Sequence, residues 1–251
     1  MSYISNKDFL LEVAKGNIEG HQIFKVPGLI AIPVSQNAYD DLTPIPSITK
    51  LSSPGGVQLE VHSSNTNDKP GSSGVQTLKL HYLDSNYDYQ SEIITMNGTN
   101  SVSTVATDIQ EIWWISTETV GSNGVSRGDI ELREVGDGTI YEYIEEGGNQ
   151  SLSARFTIPN GYKGYLIDWH CSGMKARIDF QLRATCDRYT RELKPGVFLF
   201  QDTESCEKSN SGQLDGKGLE FPERCTVKIS ALASTSGGEA AAGFTIMLVK
   251  Q

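Results

Sequence analysis

Alternation of apolar and polar residues dominates the chain from residue 75 onward. Within residues 75–84, Leu78 and Leu80 fall on one face while Thr77 and Lys79 fall on the other. A period of two places successive side chains on opposite faces, as in a half-buried strand. The same pattern predicts further strands over residues 89–96, 111–119, 129–134, 139–144, 152–158, 164–171, 176–186, 196–200, 218–221, 226–233 and 243–249.

Turn-forming residues separate these predicted strands at short intervals. Asn97-Gly98 stands between two strand-like segments and predicts a hairpin, because both residues tolerate positive φ. Glycine, asparagine and aspartate are spread along the chain and do not form one flexible tract. Short strands with turn residues between them predict an all-β protein, whose body is a β-sandwich or jelly roll built as one large lobe or two small ones.

A different period marks the N-terminus. Residues 6–15 predict one short helix, capped by Asn6, with Phe9, Leu10 and Val13 on one face. A helix of this length is marginal alone in water, so its apolar face must dock on the chain's own body or on a neighbouring subunit.

Proline is frequent between residues 17 and 56. Because proline removes a ladder donor and fixes φ, this stretch is expected to be mostly an extended arm. We therefore divide the chain into three parts. Residues 1–56 are a helix and proline-rich arm for assembly or docking, residues 57–150 are a first β-sandwich portion, and residues 151–251 are a second β-sandwich portion.

The chain is acidic, with 31 aspartate and glutamate residues against 21 lysine and arginine residues and a formal net charge of −10. An acidic surface repels phosphate backbones, so nucleic acid is not an expected partner. No apolar stretch approaches the roughly 20 residues needed to cross a bilayer, so a membrane is not expected either. The N-terminal residues lack the apolar centre of a signal peptide, which predicts synthesis in the cytoplasm.

The sequence shows no assembled pattern of catalytic or metal-binding residues. The four histidines form none of the closely spaced metal motifs, and the chain has neither a nucleophile elbow nor a phosphate-binding loop. His170 lies near Asp168 and Cys171, but on a strand the cysteine points to the other face. Residues 84–88 match only the start of a calcium loop, and a hairpin turn explains them better. We predict no catalytic residue, no cofactor, no metal and no enzyme activity.

Four cysteines, Cys171, Cys186, Cys206 and Cys225, lie in the last third of the chain. None belongs to a close CxxC pair, which argues against a zinc site. In a reducing cytosol all four are expected to be free thiols, with one disulfide as the alternative.

Trp113 and Trp114 are consecutive on a predicted strand and should therefore point to opposite faces. If one belongs to the core, the other faces a lobe, a partner or solvent. Tryptophan is enriched at interfaces, although the same ring could stack on a sugar. Together with Phe9, Leu10 and Val13, the two tryptophans are the candidate interface residues.

Five segments of the chain resemble a family of virion proteins from marine and freshwater tailed phages, including phages of cyanobacteria. They are DFLLEVAKGNIEGH, LDSNYDYQSEIITMNGTNSVSTVATDI, GSNGVSRGDIELRE, NQSLSARFTIPNGYKGYLIDWHCSG and LEFPERCTVKISALASTSGGEAAAGFTIMLVKQ, in this order, and they span most of the chain. The most specific features are LD-x-NY followed by E-x-x-x-x-NGT, and the ending FP-E-x-x-x…AGF-x-x-x-LV. Residues 22–56 and 187–210 are least like the family.

The resemblance implies a structural component of the phage particle and supplies no catalytic residues. The leading interpretation is a capsid decoration, cement or head-fibre subunit on the exterior of the virion. The alternatives are a tail or baseplate component that binds a host surface glycan or protein, and a β-sandwich enzyme that degrades glycans. The expected partners are copies of this chain, as a trimer by analogy with phage fibres, and the major capsid protein or another virion protein.

Overall fold

The computed structural model describes residues 6–30, 34–45, 47–51, 53–206, 211–215, 218–235 and 238–251. In this part of the chain one helix, α1 (Asn6–Ala14), precedes seventeen strands. The strands are β1 (His21–Ile30), β2 (Asp40–Asp41), β3 (Leu59–Ser63), β4 (Val75–Leu83), β5 (Tyr89–Thr95), β6 (Val102–Ser103), β7 (Glu111–Val120), β8 (Ile130–Glu134), β9 (Ile140–Ile144), β10 (Arg155–Thr157), β11 (Tyr162–Met174), β12 (Ile178–Ala184), β13 (Leu199–Cys206), β14 (Ser211–Asp215), β15 (Glu220–Phe221), β16 (Thr226–Ala233) and β17 (Glu239–Lys250). The prediction of an all-β protein is confirmed.

Strands from both ends of the chain form the larger unit, which we call the body. Sheet 1 has the order β1-β17-β11-β14, with β15 also paired to β11, and sheet 2 has the order β10-β16-β12-β13, with β2 paired to β16. All of these pairings are antiparallel. The two sheets share one hydrophobic core, whose largest fully buried side chains are Trp169, Phe156, Phe180, Phe221 and Phe244.

Strands β3 to β9 form a second unit, which we call the inserted lobe because it lies between β1 and β10 in the sequence. Sheet 3 has the order β6-β3-β8-β9 and sheet 4 has the order β5-β4-β7. The two sheets enclose a core of their own, which includes Leu59, Val61, Leu78, Leu80, Ile94, Ile112, Ile115, Ile130, Leu132 and Ile144.

The predicted helix is confirmed at the N-terminus and packs beside β1. Phe9 meets the ring of His21 edge to face, with centroids 5.8 Å apart. Val13 is buried and Leu10 is half-buried. Gly16 ends the helix with a φ of 76°, and its N–H donates to the carbonyl of Val13 at 2.9 Å. No helix among the described residues is long and apolar enough to span a membrane.

The prediction of an extended arm is wrong for residues 21–30. These residues form β1 and pair with β17 along its whole length, from the pair His21 and Val249 onward. Val26 and Ile30 enter the core of the body. The segment is therefore part of sheet 1, although its proline content suggested otherwise.

Proline is tolerated in β1 because this strand lies at the edge of sheet 1. The N–H of Leu29 points away from β17 and donates to the carbonyl of Leu152 at 3.2 Å. Pro27, two residues earlier on the strand, has the same orientation, so its missing N–H costs no bond to β17.

The hairpin predicted at Asn97-Gly98 is also wrong. The strand before this turn, β5, pairs with β4, whereas the strand after it, β6, pairs with β3 in the other sheet. Gly98 has a φ of 60°, and the turn carries the chain from sheet 4 to sheet 3. The predicted turn between β4 and β5 is confirmed: Asp84 accepts hydrogen bonds from the backbone N–H groups of Asn86 and Asp88 at 2.9 and 3.1 Å.

Candidate functional site

A cluster of aromatic rings lies where the inserted lobe meets the body, and we call it the aromatic seam. Two of its rings belong to body strands β1 and β10, and the other four belong to strands β4, β5 and β7 of sheet 4. Its members are Phe24, Phe156, His81, Tyr89, Trp113 and Trp114.

Trp113 and Trp114 lie beside each other, which corrects the prediction that they point to opposite faces. β7 pairs with β4 so that Trp114 is opposite His81 and Ile112 is opposite Tyr82, which leaves Trp113 as an extra residue. A bulge of this kind interrupts the period of two. The two indole planes are within 14° of parallel, with centroids 5.7 Å apart.

Trp113 anchors the seam on the side of the body. Its side chain is only 3% exposed, and its ring stacks on Phe156 with centroids 4.5 Å apart and lies 5.3 Å from Phe24. The indole Nε1 donates to the carbonyl of Thr157 at 2.9 Å, so the polar atom of this buried ring is satisfied. A side chain of the inserted lobe thus completes the core of the body.

His81, Tyr89 and Trp114 form the solvent side of the seam. His81 stacks on Trp114 with centroids 4.4 Å apart, and Tyr89 stacks on Trp113 at 4.9 Å. The Tyr89 hydroxyl lies 2.8 Å from His81 Nδ1, which holds the two rings together. Burial, with a smaller effect of Lys79, lowers the pKa of His81 to about 4, so the imidazole is neutral at pH 7. Because Tyr89 is 46% exposed, the seam presents an aromatic face to solvent.

A cleft of about 630 Å³ opens between Lys50 and residues 54–55, 85–87 and 110–111 on one side and body residues around 185–198 and 224–226 on the other. Lys50 and Glu111 form an ion pair within it. Burial raises the pKa of Glu111, and the charge of Lys50 opposes that rise.

A buried ion pair crosses the junction between the two units. Arg155 of β10 donates to Glu142 of β9 at 3.1 Å, and the Ser153 hydroxyl donates to the second oxygen of the same carboxylate at 2.8 Å. The two charged side chains are 6% and 0% exposed. Burial raises the pKa of Glu142, while Arg155 opposes the rise. Sequence reasoning missed this pair, although a charged residue within each of two short apolar strands was a clue to it.

A groove of about 620 Å³ lies on the outer face of sheet 1 and contains Lys25, Asp168 and His170. Asp168 accepts a hydrogen bond from the hydroxyl of Thr245 at 3.0 Å. His170 is exposed, whereas Cys171 is buried on the opposite face of β11, as the strand period predicts. The adjacent histidine and cysteine are therefore not brought together.

The structure brings some of the predicted interface residues together and separates others. Trp113 and Trp114 meet in the aromatic seam, while Phe9, Leu10 and Val13 lie on α1 beside β1. Within the described ranges, no group of three or more histidine, cysteine, aspartate or glutamate side chains is placed to hold a metal ion. The chemistry that the seam offers is stacking and packing.

Comparisons with models of known protein families and with curated proteins find no match. Among solved structures, the chain is similar to the cysteine protease and lectin-like domains of Cwp84 from Clostridium difficile, with 7% identity and a TM-score of 0.24. That match covers 76% of this chain and 64% of the Cwp84 chain, which is less than two thirds of its length.

Two viral capsid structures also show similarity. The VP16–VP17 complex of bacteriophage P23-77 has 9% identity over 92% of this chain and all of that chain, with a TM-score of 0.24. The T13 particle of infectious bursal disease virus has 13% identity over 92% of this chain and 68% of that chain, with a TM-score of 0.20.

Proposed function

We propose that this chain is a structural protein of a tailed-phage virion, most specifically a capsid decoration, cement or head-fibre subunit with a jelly-roll body. The observation that carries the proposal is the pairing of strands within the body. The same observation fits lectin-like jelly rolls, which motivates the second candidate below.

Eight strands of the body pair in a nested order, in which the first strand pairs with the last, the second with the next to last, and so on to the middle. Taken in chain order they are β1, β10, β11, β12, β13, β14, β16 and β17, and the pairs are β1 with β17, β10 with β16, β11 with β14, and β12 with β13. This order of pairing is the one expected of an eight-stranded jelly roll, the architecture of viral capsid and lectin domains, and it supports the proposal. The short strands β2 and β15 add to β16 and β11.

The sequence segments that resemble phage virion proteins support the same proposal. Two of the five lie in the inserted lobe, two lie in the body, and one covers α1. The resemblance therefore extends over both units and is not limited to the body.

Exposed apolar side chains on the body support a contact with another subunit. Tyr189 is 87% exposed, Val197 is 54% exposed and Phe200 is 50% exposed. Phe200 lies on β13, which is the edge strand of sheet 2. An exposed apolar side chain at a sheet edge is typical of a protein–protein contact. These residues fall in the segment 187–210, which is least like the phage family and thus suits contacts particular to this protein.

The proposal is tested by locating the chain in purified phage particles. Mass spectrometry should find it in many copies per particle, and antibodies should bind it on intact particles. Cryo-electron microscopy should show its density on the outer surface. Absence from the particle, or density confined to the DNA-filled interior, would contradict the proposal.

A tail or baseplate subunit that binds a host surface glycan is the second candidate, favoured by the exposed face of the aromatic seam. Flat aromatic rings offer large contact area at low entropic cost, and Tyr89 presents such a ring to solvent. Tyr89→Ala should weaken binding to purified host surface polysaccharide by at least about tenfold.

The matched control for this experiment is Ile93→Ala. Ile93 lies on the same strand, β5, and is 57% exposed, but it does not belong to the seam. Binding of this variant should stay within about twofold of the unchanged protein. Equal losses in the two variants would remove the seam as the binding site, and no binding by the unchanged protein would remove the second candidate.

A further inference from the structure

The four cysteines of the body lie in two close pairs. Cys171 on β11 belongs to sheet 1, and Cys206 at the end of β13 belongs to sheet 2. Their sulfur atoms are 2.8 Å apart, and their side chains are 1% and 2% exposed. The two sulfurs are thus already closer than ordinary non-bonded contact, and they face each other across the core.

Cys186 and Cys225 form the second pair, just beyond the ends of β12 and β16. The N–H of Thr185 donates to the carbonyl of Thr226 at 2.9 Å, and the two strands run in register up to this point. Cys186 and Cys225 are the next facing residues, and residues directly opposite each other on antiparallel strands have Cα atoms about 4.5–5.5 Å apart. That separation lies within the range of roughly 4.4–6.8 Å that a disulfide requires.

We propose that the body contains two disulfide-forming sites, Cys171–Cys206 and Cys186–Cys225, which are reduced in the cytosol and close when the protein meets a peroxide. Four cysteines allow three pairings, which the sequence alone leaves undecided. The geometry selects one of them.

The reaction at each site is balanced with hydrogen peroxide as the oxidant. One thiolate attacks a peroxide oxygen, the O–O bond breaks, and a sulfenic acid forms with release of hydroxide, which takes up the thiol proton as water. The partner sulfur then attacks the sulfenic sulfur, and the second oxygen leaves as water. Two thiols and one peroxide thus give one disulfide and two water molecules. A small oxidant suits these sites because all four side chains are buried.

We expect Cys186 to be the attacking sulfur of the second site. A hydrogen bond with Cys225, together with the charge of Arg191, lowers the pKa of the Cys186 thiol. Burial raises the pKa of the Cys225 thiol. Because the thiolate is the nucleophile, the peroxide should react first at Cys186.

The experiment uses the full chain purified under reductant and then treated with hydrogen peroxide. The protein is then unfolded in the presence of iodoacetamide, which labels free thiols, and without reductant. Its intact mass and its peptides are analysed. The oxidised chain should take up no label and lose about 4 Da, and peptide mapping should find Cys171 joined to Cys206 and Cys186 joined to Cys225. Its melting temperature should rise by about 10 °C, and reductant should reverse the rise.

Two single variants separate the sites. Cys206→Ala should lose about 2 Da on oxidation and take one label at Cys171, while the Cys186–Cys225 link still forms. Cys225→Ala should also lose about 2 Da, but it should take one label at Cys186 while the Cys171–Cys206 link still forms. The unchanged protein decides the question even if a variant fails to fold. Four labelled thiols after peroxide, stable sulfinic acids, links between chains, or any other pairing would overturn the proposal.

Discussion

The body and the inserted lobe are both antiparallel sheets around an apolar core, but they differ in how far apart their paired strands lie along the chain. In the lobe, β4 pairs with β5 and β8 pairs with β9, and the most distant pairing joins β3 to β8. In the body, β1 pairs with β17, so His21 lies opposite Val249. Local pairings can be recognised segment by segment, whereas a pairing between the two ends of a chain cannot.

The comparison predicts that the body is far more sensitive to loss of its N-terminus than the lobe is. Deleting residues 1–30 removes β1 and with it Val26 and Ile30 from the core. We expect the body to unfold, because β17 then loses its pairing partner along one whole edge. Circular dichroism and chemical unfolding should show the loss of its cooperative transition, whereas a fragment of residues 53–150 should fold on its own.

Deleting residues 1–16 is the control for this experiment, because it removes α1 and leaves β1 in place. This variant should keep the unfolding transition of the body. If the body still folds after deletion of residues 1–30, the first strand is dispensable. That result would support the original prediction that this segment is an extended arm.

The junction between the units should distinguish the two tryptophans. Trp113→Ala should lower the free energy of unfolding by about 4 kcal/mol, because it opens a cavity beside Phe156 and leaves the Thr157 carbonyl without its donor. Trp114→Ala should cost about 1 kcal/mol, because this ring is only partly buried. Urea unfolding of the two variants measures the difference, and equal losses would show that the seam is not anchored at Trp113.

The ion pair across the junction should be somewhat less costly to break. Arg155→Met leaves the Glu142 carboxylate buried without its partner and should lower the free energy of unfolding by about 3 kcal/mol at pH 7. The double variant Glu142→Gln with Arg155→Met should recover part of this loss.

The pH dependence gives a second test of the same pair. Burial raises the pKa of Glu142 in the folded protein above its unfolded value, so the folded state binds the proton more tightly. Stability therefore falls as the pH rises from the unfolded pKa through the folded pKa, and the loss of Arg155 enlarges this effect. The loss of unfolding free energy in Arg155→Met should therefore become smaller as the pH is lowered. The double variant has no carboxyl group at position 142, so the unfolding free energy should show no contribution from this group between the unfolded and folded pKa of Glu142.

The smallest effect on stability is expected at the surface of the body. Replacing Tyr189 and Phe200 with serine should change the free energy of unfolding by less than about 0.5 kcal/mol, because both side chains are at least half exposed. The same change should reduce self-association in sedimentation experiments, since it removes apolar contact area. Unaltered association would place the subunit contact elsewhere.

The sequence predicts the class of this fold well because alternation is a local property. Ile178, Phe180 and Leu182 are buried in β12 just as their spacing indicates. β1 was not predicted because it contains Pro27, which a strand tolerates only at the edge of a sheet. The sequence does not show which strand will lie at an edge.

The aromatic seam could be predicted only in part. The two tryptophans were recognisable as interface residues, but the bulge that places them beside each other depends on the pairing of β7 with β4. The Glu142–Arg155 pair and the two cysteine pairs likewise join residues that only the folded chain brings together. Each pair depends on how strands from distant parts of the chain are aligned in the fold, and residue spacing along the sequence does not predict that alignment.

The pairing of residues 21–30 with residues 239–250 also sets the order in which the protein can mature on the ribosome. At about 5–20 residues per second, the first strand emerges roughly 10–40 s before its partner is synthesised. During this interval the inserted lobe is complete and can fold, while β1 waits with an unpaired edge. The newly synthesised chain is therefore most vulnerable to aggregation at β1, and its body can close only after β17 has been synthesised.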